Sequence, residues 1–167
     1  MQNLLIRNET PADHAAIAEV IEQAFKTQPY SSHTEQLIVA ALRQENALTI
    51  SLVAVLNQHI VGHIAISKVS ISSNHAGWYG LGPVAVLPKW QQLGIGSALI
   101  ESALAELKSM AAEGCVVLGD PSFYSKFGFQ VVPELILEDV PAEYFQVLAF
   151  NKAIPPGTVK YHAAFNI

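Results

Sequence analysis

The chain has 167 residues, enough for one domain with a well-developed core. Apolar residues make up 51% and charged residues 14%, a composition that excludes a disordered chain. The formal net charge is −5, and without a basic stripe a nucleic-acid partner is excluded.

The low charge leaves apolar surface suited to a ligand or to a second copy of the chain, so a homodimer is one expectation. The single cysteine, Cys115, rules out an intramolecular disulfide and a cysteine-based metal site. No metal is expected from the six histidines either. Met1 to Arg7 lacks the apolar run of a signal peptide, and no segment has the length of a bilayer span. A cytoplasmic protein without a membrane partner is therefore expected. No repeat, low-complexity tract or linker divides the chain, so residues 1–167 read as one domain.

Leu4 to Arg7 reads as a first short strand. Thr10-Pro11-Ala12-Asp13 starts a helix: Thr10 caps, Pro11 suits the first helical position, and Asp13 favours the positive helix end. Ile17, Val20, Ile21, Ala24 and Phe25 then form one apolar face. After a loop at Gln28 to Ser32, a second helix turns Leu37, Ile38, Ala41 and Leu42 inward. Ser51 to Leu56 and Ile60 to Ser72 form a hairpin. Trp78 to Val86 is a further strand, interrupted by Gly80, Gly82 and Pro83, where a bulge or a close ligand is expected. A long helix follows to about Ala112, with Ile95, Leu99, Ile100, Ala103, Leu104 and Leu107 as its buried stripe. Cys115 to Leu118 has the apolar run of a buried parallel strand. A short helix from Asp120-Pro121 through Tyr124 stops at Gly128, and Phe129 to Val132 resumes as a strand. Two more strands lie near Tyr144 to Phe150 and near Thr158 to Phe165. The pattern is α/β, with a sheet of mixed antiparallel and parallel strands.

Leu81 to Ser97 carries the chemistry. A strand ends, the chain turns through glycines, and a helix begins. First-turn N–H groups have no intrahelical acceptor, and the helix dipole places partial positive charge there. Glycines let an anion approach the main chain closely. Gly-Lys-Ser/Thr is missing, so this is no P-loop. Gly94-x-Gly96 also lacks the third glycine of a dinucleotide fingerprint.

The spacing Gln91-x-x-Gly94-x-Gly96 resembles the Gln/Arg-x-x-Gly-x-Gly/Ala motif of the GNAT acetyltransferases. Tyr124-Ser125-Lys126-Phe127-Gly128-Phe129 is similar to that family's Tyr-x-x-x-Gly-Phe. Ile6 to Asp13 looks like a common opening of the family. Gly119 to Tyr124 and Gly157 to His162 resemble a bacterial branch called YhbS-like. The resemblance implies the GNAT-type acyl-CoA N-acyltransferase fold, with helices on both faces of a sheet splayed between its fourth and fifth strands. It implies acetyl-CoA as co-substrate and an amine-bearing small molecule or peptide as acceptor. Val84, Ala85 and Val86 would meet the pantetheine arm. Gln91, Gln92, Leu93, Gly94, Ile95, Gly96 and Ser97 would form the pyrophosphate loop. Tyr124 would be the catalytic acid that protonates the departing thiolate, and a backbone N–H of Val84 or Val86 would meet the oxyanion.

Two departures stand out. Asp120-Pro121 occupies the place where many members carry an asparagine, and Asp120 reads as a helix cap. Trp78 to Val86 contains no Asp or Glu, so the family's usual base has no counterpart. Glu35, His63 and His75 are the remaining base candidates. Cys115, at the start of an apolar strand with no adjacent histidine, reads as a buried, inert thiol. Tyr30, Trp78 and Tyr79 are candidates for an aromatic acceptor wall. A non-catalytic acyl-CoA-binding module is the competing reading.

Overall fold

A computed structural model describes residues 3–151 and 153–167. Met1 and Gln2, the start of the stretch read for a signal peptide, lie outside the described residues. The chain forms β1 (Leu5–Asn8), α1 (His14–Phe25), α2 (Glu35–Gln44), β2 (Leu48–Leu56), β3 (His59–Lys68), β4 (Ser70–Ile71) and β5 (Trp78–Val86). It continues as α3 (Ile95–Ser109), β6 (Gly114–Leu118), α4 (Pro121–Tyr124), β7 (Leu135–Ile136), β8 (Phe145–Ala149) and β9 (Gly157–Lys160).

Six strands make the main sheet in the order β1-β2-β3-β5-β6-β8. All neighbours are antiparallel except β5 and β6, which run parallel. A three-stranded sheet, β4-β9-β7, sits apart. Strand alternation divides the main sheet between two layers. Ile64 and Ile66 pack with Ile95, Leu99, Ile100 and Ala103 of α3. Val53, Ala65 and Ala85 pack with Ile17, Val20 and Ile21 of α1. Every residue of the expected α3 stripe is buried.

The α1 start is built as its sequence suggests, with one exchange of roles. The Thr10 N–H and hydroxyl both donate to Asp13 Oδ2, at 2.7 and 3.0 Å. Arg7 clamps the same carboxylate through both terminal nitrogens. These bonds outweigh burial and hold the Asp13 carboxyl well below its usual range.

Several boundaries differ from expectation. In α2 the inward residues are Ile38, Val39 and Leu42, while Leu37 is exposed. The long strand expected to Ser72 breaks after Lys68, and Ser70–Ile71 pairs with β9 instead. Trp78–Val86 is one strand, and the expected bulge is in it: between the pairs Ile66↔Leu81 and Ile64↔Val84, Gly82 and Pro83 of β5 stand opposite the single Ala65 of β3. Phe129 to Val132 forms no strand; only Gln130 bridges to Val147, and Pro133 has no N–H to extend a ladder. The last strand stops at Lys160. His162 Nδ1 then accepts the Ala164 N–H at 2.9 Å and starts a short 3-10 turn.

Candidate active site

β5 is paired on both sides for only half its length. Its partners on β6 are Trp78↔Gly114 through Leu81↔Val117. Beyond Leu81 the two strands part, while β3 follows β5 to Val86. The opening therefore lies between the fourth and fifth strands of the sequence reading. The Leu87 N–H donates to Val61 O at 2.9 Å. Alternation along a strand then turns the Ala85 N–H the same way and the Val84 and Val86 N–H groups toward the opening. The Val86 carbonyl is already occupied, accepting from Gln91 Nε2 at 2.9 Å. Ala85 differs from its neighbours, because its side chain is buried against α1. At Gly82 (φ +138) a Cβ would meet nothing within 4 Å, so open space reaches the main chain where the strands part.

The unpaired stretch leads to the start of α3. Gln92 (φ 64) and Gly94 (φ 87) take left-handed conformations, which glycine adopts without steric cost. Gly94 is the N-cap, and no side chain caps the helix. Gln91, Gln92 and Leu93 are exposed, whereas the Ile95 side chain is in the core. Ile95 can therefore serve an anion only through its N–H. A Cβ on Gly94 would meet nothing within 4 Å, and one on Gly96 would touch only Val86 Cγ2 at 3.9 Å. The fold thus brings the ten expected cofactor residues into one continuous strand-to-helix segment. No side chain caps its helix start, which leaves first-turn N–H groups of the kind that bind anions.

Tyr124 stands on the other bank of the opening. Asp120 Oδ1 accepts the Ser122 N–H at 2.9 Å and its hydroxyl at 2.8 Å, so Asp120 caps α4 as expected. Gly128 (φ 99) ends the following turn. The Tyr124 ring lies over Gly119, where a Cβ would come within 2.5 Å of it. Phe123 and Phe129 brace it edge-on at 5.0 and 5.9 Å. Burial, and secondarily Cys115, raises its pKa to about 12. It is therefore a protonated donor near neutral pH.

Tyr124 borders a cavity of about 1240 Å³. Leu81 to Val84, Leu118, β4, Thr158 to Tyr161 and Glu138-Asp139 also line it, with Phe25, Glu35 and Ile38 from the helical layer. Of the three base candidates only Glu35 lines it. The Glu35 carboxylate accepts from Ser31 Oγ at 2.8 and 2.7 Å. His75 is exposed and pairs with Ser73 Oγ at 2.8 Å. His63 is 0% exposed and sits in the α1-facing layer. Ser51 Oγ donates to Glu9 Oε1 at 2.5 Å and so receives the His63 Nε2–H at 2.8 Å. Burial chiefly lowers the His63 pKa to about 4, so the imidazole is neutral and weakly basic, and it does not line the cavity.

The aromatic wall is also corrected. Trp78 and Tyr79 are core residues at 2% and 8% exposure, and Tyr30 is fully exposed. Cys115 is buried and its pKa is pushed up by burial, as an inert thiol requires. His59 and His63 stand four apart on β3. That spacing joins two ligands on a helix, but on β3 it separates them by about 13 Å. No cluster of three metal-ligating side chains occurs among the described residues. No helix among them is long and apolar enough to cross a membrane. The sequence gives no role to Tyr161 and does not show what approaches Gly80 and Gly119. The two glycines each admit a tyrosine ring that a Cβ would block, a contact with no local sequence signal.

This geometry is that of an acyl-CoA acyltransferase fold, and comparison with known proteins agrees. A family model described as "Acetyltransferase (GNAT) domain" matches residues 47–131. The uncharacterized N-acetyltransferase YhbS of Escherichia coli K12 is 33% identical over 129 residues, covering 77% of this chain and 74% of that protein. A GNAT family acetyltransferase from Brucella melitensis, solved in complex with acetyl-CoA, is 47% identical with a TM-score of 0.88, covering 99% of both chains. The E. coli YhbS structure in complex with CoA is 30% identical with a TM-score of 0.88, covering 98% of this chain and 92% of that one. The chain belongs to the GNAT acetyltransferase family.

Proposed function

We propose that residues 1–167 form one cytoplasmic N-acetyltransferase domain that uses acetyl-CoA and an amine acceptor by direct transfer in a ternary complex. The unpaired edge of β5, running without interruption into the uncapped α3 start, carries this reading. The outward N–H groups of Val84 and Val86 would hold the pantetheine arm as a partner strand does. The main chain from Gln92 to Ser97 would take the diphosphate, while Gln91 braces Val86. Acetyl-CoA supplies an activated acetyl thioester. An outward Val84 or Val86 N–H is also placed to stabilise charge developing on the acyl oxygen. Tyr124, protonated and braced, donates its proton to the leaving sulfur. Glu35, which with Glu138 and Asp139 borders the acceptor space, is the carboxylate candidate for the departing amine proton.

The Brucella relative's complex with acetyl-CoA and the YhbS complex with CoA support the choice of co-substrate. The absence of any acidic residue from Trp78 to Val86 favours one rival, a non-catalytic acyl-CoA-binding module. Thiol release from acetyl-CoA across alkylamines, amino-acid amides and a lysyl peptide separates them. Amine-dependent release supports the enzyme; tight acetyl-CoA binding with no release supports the module.

A further inference from the structure

Tyr161 has no assigned role, and its hydroxyl is anomalous. The oxygen is shut away from solvent and has no hydrogen-bond partner. Buried polar groups are almost always paired, so a lone one calls for an explanation. Bulk water does not supply the missing partner, because the oxygen is sealed from it. The ring has close neighbours in this conformation. It lies over Gly80, where a Cβ would come within 2.6 Å, and Phe165 braces it edge-on at 5.1 Å. β9 fixes the chain before it, and the His162-capped turn fixes the chain after it. The ring borders the same cavity as Tyr124 and Gly82 to Val84. Burial first, then Cys115 and Tyr124, push its pKa upward, so the phenol stays neutral and keeps both a proton and lone pairs to offer.

We infer that the missing partner is the acyl acceptor: a small displacement of the Tyr161 ring lets its oxygen accept a hydrogen bond from the attacking amine and aim the nitrogen lone pair at the thioester. This rests on the transferase reading above. Tyr161 transfers no proton; it orients the nucleophile from the acceptor side, while Tyr124 serves the leaving group. Such positioning acts on the acceptor alone.

Tyr161→Phe keeps the ring and deletes the oxygen. The apo variant should melt about 2 °C higher, because an unmet polar group has gone. Acetyl-CoA affinity should stay unchanged, as should slow amine-independent hydrolysis of acetyl-CoA. For the best amine among alkylamines, amino-acid amides and a lysyl peptide, KM should rise at least about tenfold, by analogy with other lost hydrogen bonds to substrate. Wild-type amine kinetics in the variant overturn the inference. A lower apo melting temperature overturns it too, because the oxygen would then have a structural partner. A loss confined to acetyl-CoA binding assigns the oxygen to the thioester and likewise overturns it. If wild type binds acetyl-CoA but acetylates no amine, the transferase reading fails first and this role fails with it. Wild-type turnover with an unaffected variant defeats this role alone.

Discussion

The two halves of β5 differ in one respect that decides what each does. Trp78–Leu81 is hydrogen-bonded to β3 and β6 and is buried throughout. Gly82–Val86 keeps β3 but loses β6, and three of its five residues, Gly82, Pro83 and Val84, border the cavity. The same strand is therefore core at one end and cavity wall at the other. Unpaired backbone N–H groups cost free energy when buried, and an open strand edge invites a partner. In the proposed complex a pantetheine arm would meet that need where β6 has parted from β5.

The largest effect should come from Tyr124, which faces the open half across the cavity. Tyr124→Phe should lower amine-dependent thiol release about 10²–10⁴-fold, the usual worth of a general acid, while acetyl-CoA still binds. Unchanged release would remove Tyr124 from the chemistry. In the core layer between α3 and the sheet, Leu99→Ala deletes a fully buried side chain and should cost about 2–5 kcal/mol of unfolding free energy. Denaturant melts would check this, and acetyl-CoA affinity should hold wherever the variant is folded. A loss of affinity without a loss of stability would blur the two halves.

A third test probes the closed side of the sheet by pH. Folded His63 has a pKa of about 4, below the ordinary value of 6.5. Between these values the unfolded chain binds the extra proton, so stability rises with pH there. It should be fully present above about pH 6.5 and fall by about 3 kcal/mol as pH drops to 4. Urea melts across this range would show it, and His63→Gln should flatten the slope. A wild-type slope that survives the substitution would contradict the sealed imidazole. The smallest effect should be at Gly94→Ala, which forces an alanine into φ +87 at a cost of about 1–2 kcal/mol. Acetyl-CoA affinity should fall about tenfold through the displaced first-turn amides. Calorimetry gives the comparison.

The sequence was most informative where one periodicity runs long. The six-residue stripe of α3 and the Gly94 turn are local patterns, and both are as expected. Val39 replaced Leu37 inside because a ten-residue helix leaves its rotation to the packing partner, here α1 and β2. The two-residue strands β4 and β7 are too short to show any alternation; they exist because β9 pairs with them. The Tyr161 contact joins Gly80 to a residue eighty-one positions later, and only the folded chain discloses it. The Gln91 bond to Val86 belongs to the same class: the motif named the glutamine, but its partner is set by how the loop returns to the strand.

The most direct test follows amide hydrogen exchange by NMR with and without acetyl-CoA. The account predicts that Val84, Val86 and the Gly94–Ser97 amides become protected on binding, while Tyr79 and Leu81, already paired, change little. Protection that falls elsewhere, or saturating acetyl-CoA that leaves those amides exchanging as before, would contradict it.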